Sequence, residues 1–183
     1  MKLSERGFTL VELLVVIAIM SLITLGATMT TFQIINVTRQ SNDHVAAVRQ
    51  VQNAGYWVSR DAQMAENVVV DDDPETAEFL ILTWTEWGYD EDSYYHEATY
   101  SFQDLSGGIG KLERQYVVYD DDLDELESKT NLIAEYIYYN LTDPDDTTKA
   151  DYENPPVLTV QITASLGEAS ETKEYQVEHR PDF

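Results

Sequence analysis

MKLSERGFTLVELLVVIAIMSLITLGATMTT, residues 1–31, joins a short charged leader, a Gly7-Phe8 junction and a long apolar run with one acid inside it. From Phe8 to Thr38 the only ionisable side chain is Glu12. Leu10 to Met29 is a helix-length apolar segment of about 20 residues, which at about 1.5 Å per residue spans the roughly 30 Å hydrocarbon core of a bilayer. Lys2 and Arg6, offset only by Glu5, precede it. The positive-inside bias therefore keeps residues 1–7 cytoplasmic and sends the remainder outward. The run is too long for an ordinary cleaved secretory signal, and Glu12 sets it apart from a plain signal anchor.

A carboxylate in the bilayer interior costs about 2.5–3.5 kcal/mol on insertion scales, so it calls for a partner. Cleavage after Gly7 supplies one: the new amine of Phe8 lies four residues before Glu12, on the same helix face. In an assembly the amine of one copy can neutralise the glutamate of the next. Glu12 then sets the register of a polymer.

Gly7-Phe8-Thr9-Leu10-Val11-Glu12, followed by Leu13 to Ile19, resembles the processing site of type IV pilins and type II secretion pseudopilins. The resemblance implies that a prepilin peptidase cuts between Gly7 and Phe8 and N-methylates Phe8. It also implies that Glu12 is the assembly glutamate. The partners implied are that peptidase, other pilin or pseudopilin subunits and an inner-membrane assembly platform. Three segments follow: a leader at 1–7, a transmembrane and assembly helix at 8–35, and a soluble domain at 36–183. The location implied is a single-pass protein of the cytoplasmic membrane, its C-terminal domain outside, in a periplasmic or extracellular filament after assembly.

The chain has 183 residues, enough for one span and one small domain. Its formal charge is -23, and loss of Lys2, Glu5 and Arg6 with the leader would take it to -24. So acidic a surface repels nucleic acid and anionic headgroups, which argues against DNA contact. The sequence contains no cysteine and no proline before Pro74. Many major pilins carry a C-terminal disulfide and a proline in the span, so both departures point towards a minor subunit or pseudopilin.

Beyond the span, Val45, Val48, Val51, Gly55, Val58, Ala62 and Ala65 recur at three- and four-residue intervals, with Arg49, Gln50, Gln52, Arg60 and Asp61 between them. This pattern extends the helix from about Phe8 to Glu66, its second half amphipathic. Gly55 costs about 1 kcal/mol relative to alanine there, which suits close packing. From Val68 the texture becomes that of short strands. Expected are Val68–Val70, Glu78–Trp84, Glu97–Phe102, a hairpin through Ser106–Gly110 into Lys111–Tyr119, Ile133–Leu141, and a last hairpin of Val157–Ser165 with Thr172–Glu178. Gly88–Tyr95, Asp120–Glu127 and Thr142–Pro156 read as loops, the second alternatively as a short helix. The expected fold is α+β, a long N-terminal helix packed against an antiparallel sheet of six or so strands. The order of helix, hairpin and late Val157–Val160 strand is similar to J-type minor pseudopilins and W-type minor pilins.

Acid runs are normally solvated loops, and no metal or other cofactor is expected. If calcium bound anywhere, Asp120, Asp122 and Asp124 offer the best oxygen cluster, although no run has the form of an EF-hand loop. His44, His96 and His179 read as surface or edge residues, with no nucleophile or metal partner near them in sequence. Trp57, Trp84 and Trp87 read as core or cross-strand aromatics, and Tyr89, Tyr94 and Tyr95 as a candidate contact surface. Asn36-Val37-Thr38 and Asn140-Leu141-Thr142 match a glycosylation sequon by chance. Gly26 with Thr24, Thr28 and Thr31 offers small residues for helix packing. A structural, non-enzymatic subunit is the leading reading. A membrane-anchored binding module, adhesin or DNA-uptake component, is the alternative. An enzyme ranks last, since no nucleophile, base and orienting group can be assembled.

Overall fold

The computed structural model describes residues 9–71, 78–88, 92–140 and 147–179. The chain divides into two compact units, Met1–Asn42 and Asp43–Phe183. One helix, α1 (Leu10–Met64), begins in the first and ends in the second. In the first unit the helical side chains from Leu10 to Val37 are exposed, Leu10 by 79% and Leu22 by 70%.

In the second unit the C-terminal part of α1 lies on an eight-stranded antiparallel sheet. The strands are β1 (Asn67–Val70), β2 (Glu78–Trp87), β3 (Ser93–Ser106), β4 (Ile109–Tyr119), β5 (Glu125–Tyr138), β6 (Lys149–Asn154), β7 (Val157–Leu166) and β8 (Ala169–Glu178). They run β1-β2-β3-β4-β5-β7-β6, with β8 on the other edge of β7, and the sheet curls until β6 nears β1 and β2. This is the expected α+β arrangement of one long helix against an antiparallel sheet.

The helix face that meets the sheet is Ala47, Val51, Ala54, Gly55, Val58, Asp61 and Ala62, all buried. It is shifted from the expected stripe. Val45 stays 45% exposed and Ala47 is buried in its place, while Asp61, expected on the polar side, is fully buried. Small residues dominate the face because the helix comes close: a Cβ on Gly55 would lie 2.0 Å from the Tyr175 ring. Leu80, Leu82, Leu112, Ile137, Leu158 and Ile162 fill the sheet side of the core.

Three strand expectations need correction. β3 starts at Ser93, four residues before Glu97, because Ser93–Tyr95 pair with Thr85–Trp87 of a longer β2. β5 starts at Glu125, eight residues before Ile133, so that its first three residues fall within Asp120–Glu127, the stretch expected as an acidic loop or short helix. Its pairing with Val117–Tyr119 and the residues before them is a main-chain ladder that needs no buried side chains. β6 lies inside the expected loop Thr142–Pro156. Its Ala150 and Tyr152 pack against the core from a short, otherwise charged edge strand. The β3–β4 hairpin is as expected: Gly107 and Gly108 both take positive φ, +61° and +81°, as a two-residue primed turn requires.

β5 carries two bulges opposite Leu112, and the helix repairs the resulting gap in the ladder. Asn53 Nδ2 donates to the Ile133 carbonyl, and the Glu135 amide donates to Gln50 Oε1 at 2.9 Å. Two polar residues on α1 thus stand in for a missing strand at this part of the β5 edge.

Candidate functional site

Gly7 and Phe8 lie outside the described residues. Glu12 stands in the first turn of α1. Its Oε2 accepts from the Thr9 amide at 2.9 Å and the Thr9 hydroxyl at 2.8 Å, while the Glu12 amide donates back to Thr9 Oγ1 at 3.3 Å. This is a capping box, in which a threonine and a glutamate three residues on satisfy each other's orphan amides. The signal was present in the sequence as Thr9-Leu10-Val11-Glu12.

Along the next turns the hydroxyls of Ser21, Thr24, Thr28, Thr30 and Thr31 donate to the carbonyl four residues back at 2.8–2.9 Å. Each polar side chain is satisfied within the helix, as a hydrocarbon environment demands. By length and composition this helix can cross a membrane. A Cβ added at Gly26 would meet nothing within 4 Å, so that flank is open to a close neighbour.

Residues 2–28 match a family model described as the prokaryotic N-terminal methylation motif. With that motif on an exposed, apolar N-terminal helix, the chain has the features of a type IV pilin- or pseudopilin-like subunit. The prepilin motif implies processing by prepilin peptidase and assembly with other pilins, and it suggests a structural subunit instead of an enzyme. It fits a membrane-anchored pilin. No curated protein and no solved structure matches the chain.

In the second unit a buried polar cluster joins α1 to the sheet. Asp61 Oδ2 accepts from Arg114 Nε and from the Tyr100 hydroxyl, each at 2.5 Å, and Oδ1 accepts from Arg114 Nη2 at 3.1 Å. Burial pushes the Tyr100 hydroxyl well above its ordinary pKa, and the Asp61 charge adds to the effect. Burial opposes the Arg114 charge, but the hydrogen bond and charge of Asp61 outweigh it and raise the guanidinium's pKa. The guanidinium also sits over Trp57 and Tyr116, 5.2 and 4.7 Å from the ring centroids. Both Asp61 oxygens are engaged, and the cluster ties α1 to β3 and β4.

Two of the histidines expected at the surface or a sheet edge, His96 and His179, are buried. His96 stacks on Trp84, centroids 5.3 Å apart, and its Nδ1 meets the Tyr116 hydroxyl at 2.7 Å. Nε2 lies 3.4 Å from Glu86 Oε2 without the geometry of a hydrogen bond. His179 Nδ1 faces the Ala65 carbonyl at 3.3 Å. A carbonyl only accepts, so Nδ1 donates there, and Nε2 meets the Tyr152 hydroxyl. Both histidines are tied into the fold through partners more than twenty residues away or on a neighbouring strand, which no local pattern announces. His44 remains exposed on α1.

Asp120 Oδ1 accepts from the amides of Asp122 and Asp124, at 3.0 and 2.9 Å, so its carboxylate shapes its own loop. Among the described residues no group of three or more acids or histidines is placed to hold a metal ion. Beside this loop is an open groove of about 370 Å³, lined by Asp92, Tyr94, Asp121 and Leu126 among others. Trp84 is buried and Trp57 partly so, whereas Trp87 is 74% exposed. Tyr94 and Tyr95 are half-buried, and Tyr89 lies outside the described residues. Asn36 is exposed on α1, while Asn140 donates through its side chain to the Tyr138 hydroxyl; Leu141 and Thr142 lie outside the described residues.

Proposed function

We propose that the chain is a minor pilin or pseudopilin. In this reading it inserts in the cytoplasmic membrane with residues 1–7 inside, is cut between Gly7 and Phe8 and N-methylated on Phe8. It then joins a type IV pilus or type II secretion pseudopilus through its N-terminal helix. The observation that carries this is the match of residues 2–28 to the methylation motif. The exposed apolar side chains from Leu10 to Val37 support it, because they need lipid or neighbouring helices to cover them. The absence of cysteine and of proline before Pro74 supports a minor role. Within that class the hairpin of β3 and β4, which delivers Arg114 to Asp61 of α1, suits the J-type and W-type resemblance.

Glu12 is the assembly device. Both Thr9 bonds end on Oε2, and a carboxylate offers about four lone-pair positions. Capacity therefore remains for the Phe8 ammonium of an adjacent subunit. The capping box holds the carboxylate in place beforehand, so little side-chain entropy is lost when that amine arrives.

Mass spectrometry of the membrane-extracted protein should find a chain beginning at N-methylated Phe8. A Gly7→Trp variant should remain as the precursor, and a mature form from that variant would remove the peptidase from the scheme. Glu12→Ala should be cut normally yet be absent from sheared filaments or from cross-linked assemblies. Ordinary incorporation of Glu12→Ala would strip Glu12 of the role given to it.

A further inference from the structure

β5 is flanked unequally along its length. Over its first half, Glu125–Leu132, it pairs with β4 on one side. Among the described residues no strand pairs with the other side there, since β7 joins β5 only at Ile137↔Ala164. Gln50 and Asn53 cover the edge at Glu135 and Ile133 but reach no further. Residues 121–130 are all exposed. An uncovered edge of this kind is a row of amides and carbonyls ready to accept another strand.

Lysine on an edge strand usually deters such pairing, and Lys129 sits in the middle of this one. Its neighbours alter that effect. When the segment is laid antiparallel against itself with Ser128 opposite Ser128, Glu127 falls opposite Lys129 twice. Leu126 falls opposite Thr130 and Glu125 opposite Asn131. Residues directly opposite share one face of a sheet, so the two Glu127–Lys129 pairs are in contact. A shift of the centre to residue 127 sets Glu127 against Glu127, and a shift to 129 sets Lys129 against Lys129. Copies with a formal charge of -23 repel each other at long range. A self-contact therefore needs local compensation, and this one register supplies it.

We propose that the free edge of β5, residues 125–131, pairs with the same edge of a second copy about a two-fold axis at Ser128, continuing the sheet across a dimer. The contact is isologous and closes on itself. It therefore links two subunits side by side and does not extend a filament along its axis. It is independent of how the N-terminus is processed.

The chain has no cysteine, so a single Ser128→Cys in the full-length protein can form a disulfide only between copies. At the two-fold position the Cα atoms would be about 4.5–5.5 Å apart, within disulfide range. Mild oxidation of membranes or detergent-solubilised protein should give a disulfide dimer. Gln103→Cys, on an exposed site of the interior strand β3, should not. Adding Glu127→Lys to Ser128→Cys should lower the dimer yield about tenfold by placing like charges opposite each other. Glu127→Lys together with Lys129→Glu should restore it. Equal cross-linking at Ser128→Cys and Gln103→Cys, indifference to Glu127→Lys, or failure of the exchanged pair to recover would each overturn the proposal in favour of Lys129 as a guard of the edge. Circular dichroism of each variant, expected to be unchanged at these exposed positions, separates lost pairing from lost folding.

Discussion

Asp61 receives three hydrogen bonds from two side chains and has no exposure to water. A buried pair of this kind adds little over a well-packed apolar substitute, but breaking one side leaves an uncompensated charge at a cost of about 3–5 kcal/mol. Asp61→Ala should therefore lower the unfolding free energy by about that amount in chemical denaturation. Asp61→Leu combined with Arg114→Met should lose much less, and equal losses in the two would mean the bonds matter for packing alone. At His96, burial lowers the imidazole pKa, and the charge of Glu86 only partly opposes this. The fold prefers the neutral ring, so the unfolded chain binds a proton first as pH falls. Stability should be full above about pH 6.5, the ordinary histidine value. It should decline as pH drops towards the lower folded pKa and be flat in this respect below it. His96→Phe, which keeps a ring on Trp84, should flatten thermal melts over that interval. A slope identical to that of the native protein would assign the titration to another group.

At the scale of elements, α1 approaches β8 closely because Gly55 has no side chain to hold the two apart. The Tyr175 ring occupies that space and its hydroxyl donates to the Val51 carbonyl at 3.1 Å. Gly55→Ala must displace the ring and its bond, a cost of about 1–3 kcal/mol that exceeds the gain in helix propensity. In a Tyr175→Ala background the same substitution should be neutral or stabilising by up to about 1 kcal/mol. A double-mutant cycle of denaturation midpoints measures the difference, and additive effects would dissociate Gly55 from Tyr175. The elements legible in the sequence were those with an apolar period, the helix, β1, β4, β7 and the glycine-turned hairpins. The first half of β5 and all of β6 were not legible. Glu125–Thr130 bury no side chains, and Lys149–Asn154 are held by pairing to β7 and by Ala150 and Tyr152, so their strand state comes from neighbours far along the chain.

At the scale of the whole molecule, two kinds of information are separated along the chain. The N-terminal segment acts through local chemistry, in that apolar length, leader charge, a lone carboxylate and a capping box all fall within about 30 residues. The sequence by itself therefore determined the membrane-length helix, the methylation motif over residues 2–28 and the α+β class of the domain. Only the tertiary structure decided that Asp61 is buried and paired with Arg114, fifty-three residues away. It also decided that His96 and His179 are interior groups, that Gln50 and Asn53 close a bulged strand, and that among the described residues no second strand pairs with the first half of β5. The physical reason is range. Helix periodicity and bilayer insertion depend on side chains a few residues apart, whereas the burial of a charge and the fate of a strand edge depend on which distant segment the fold brings beside them.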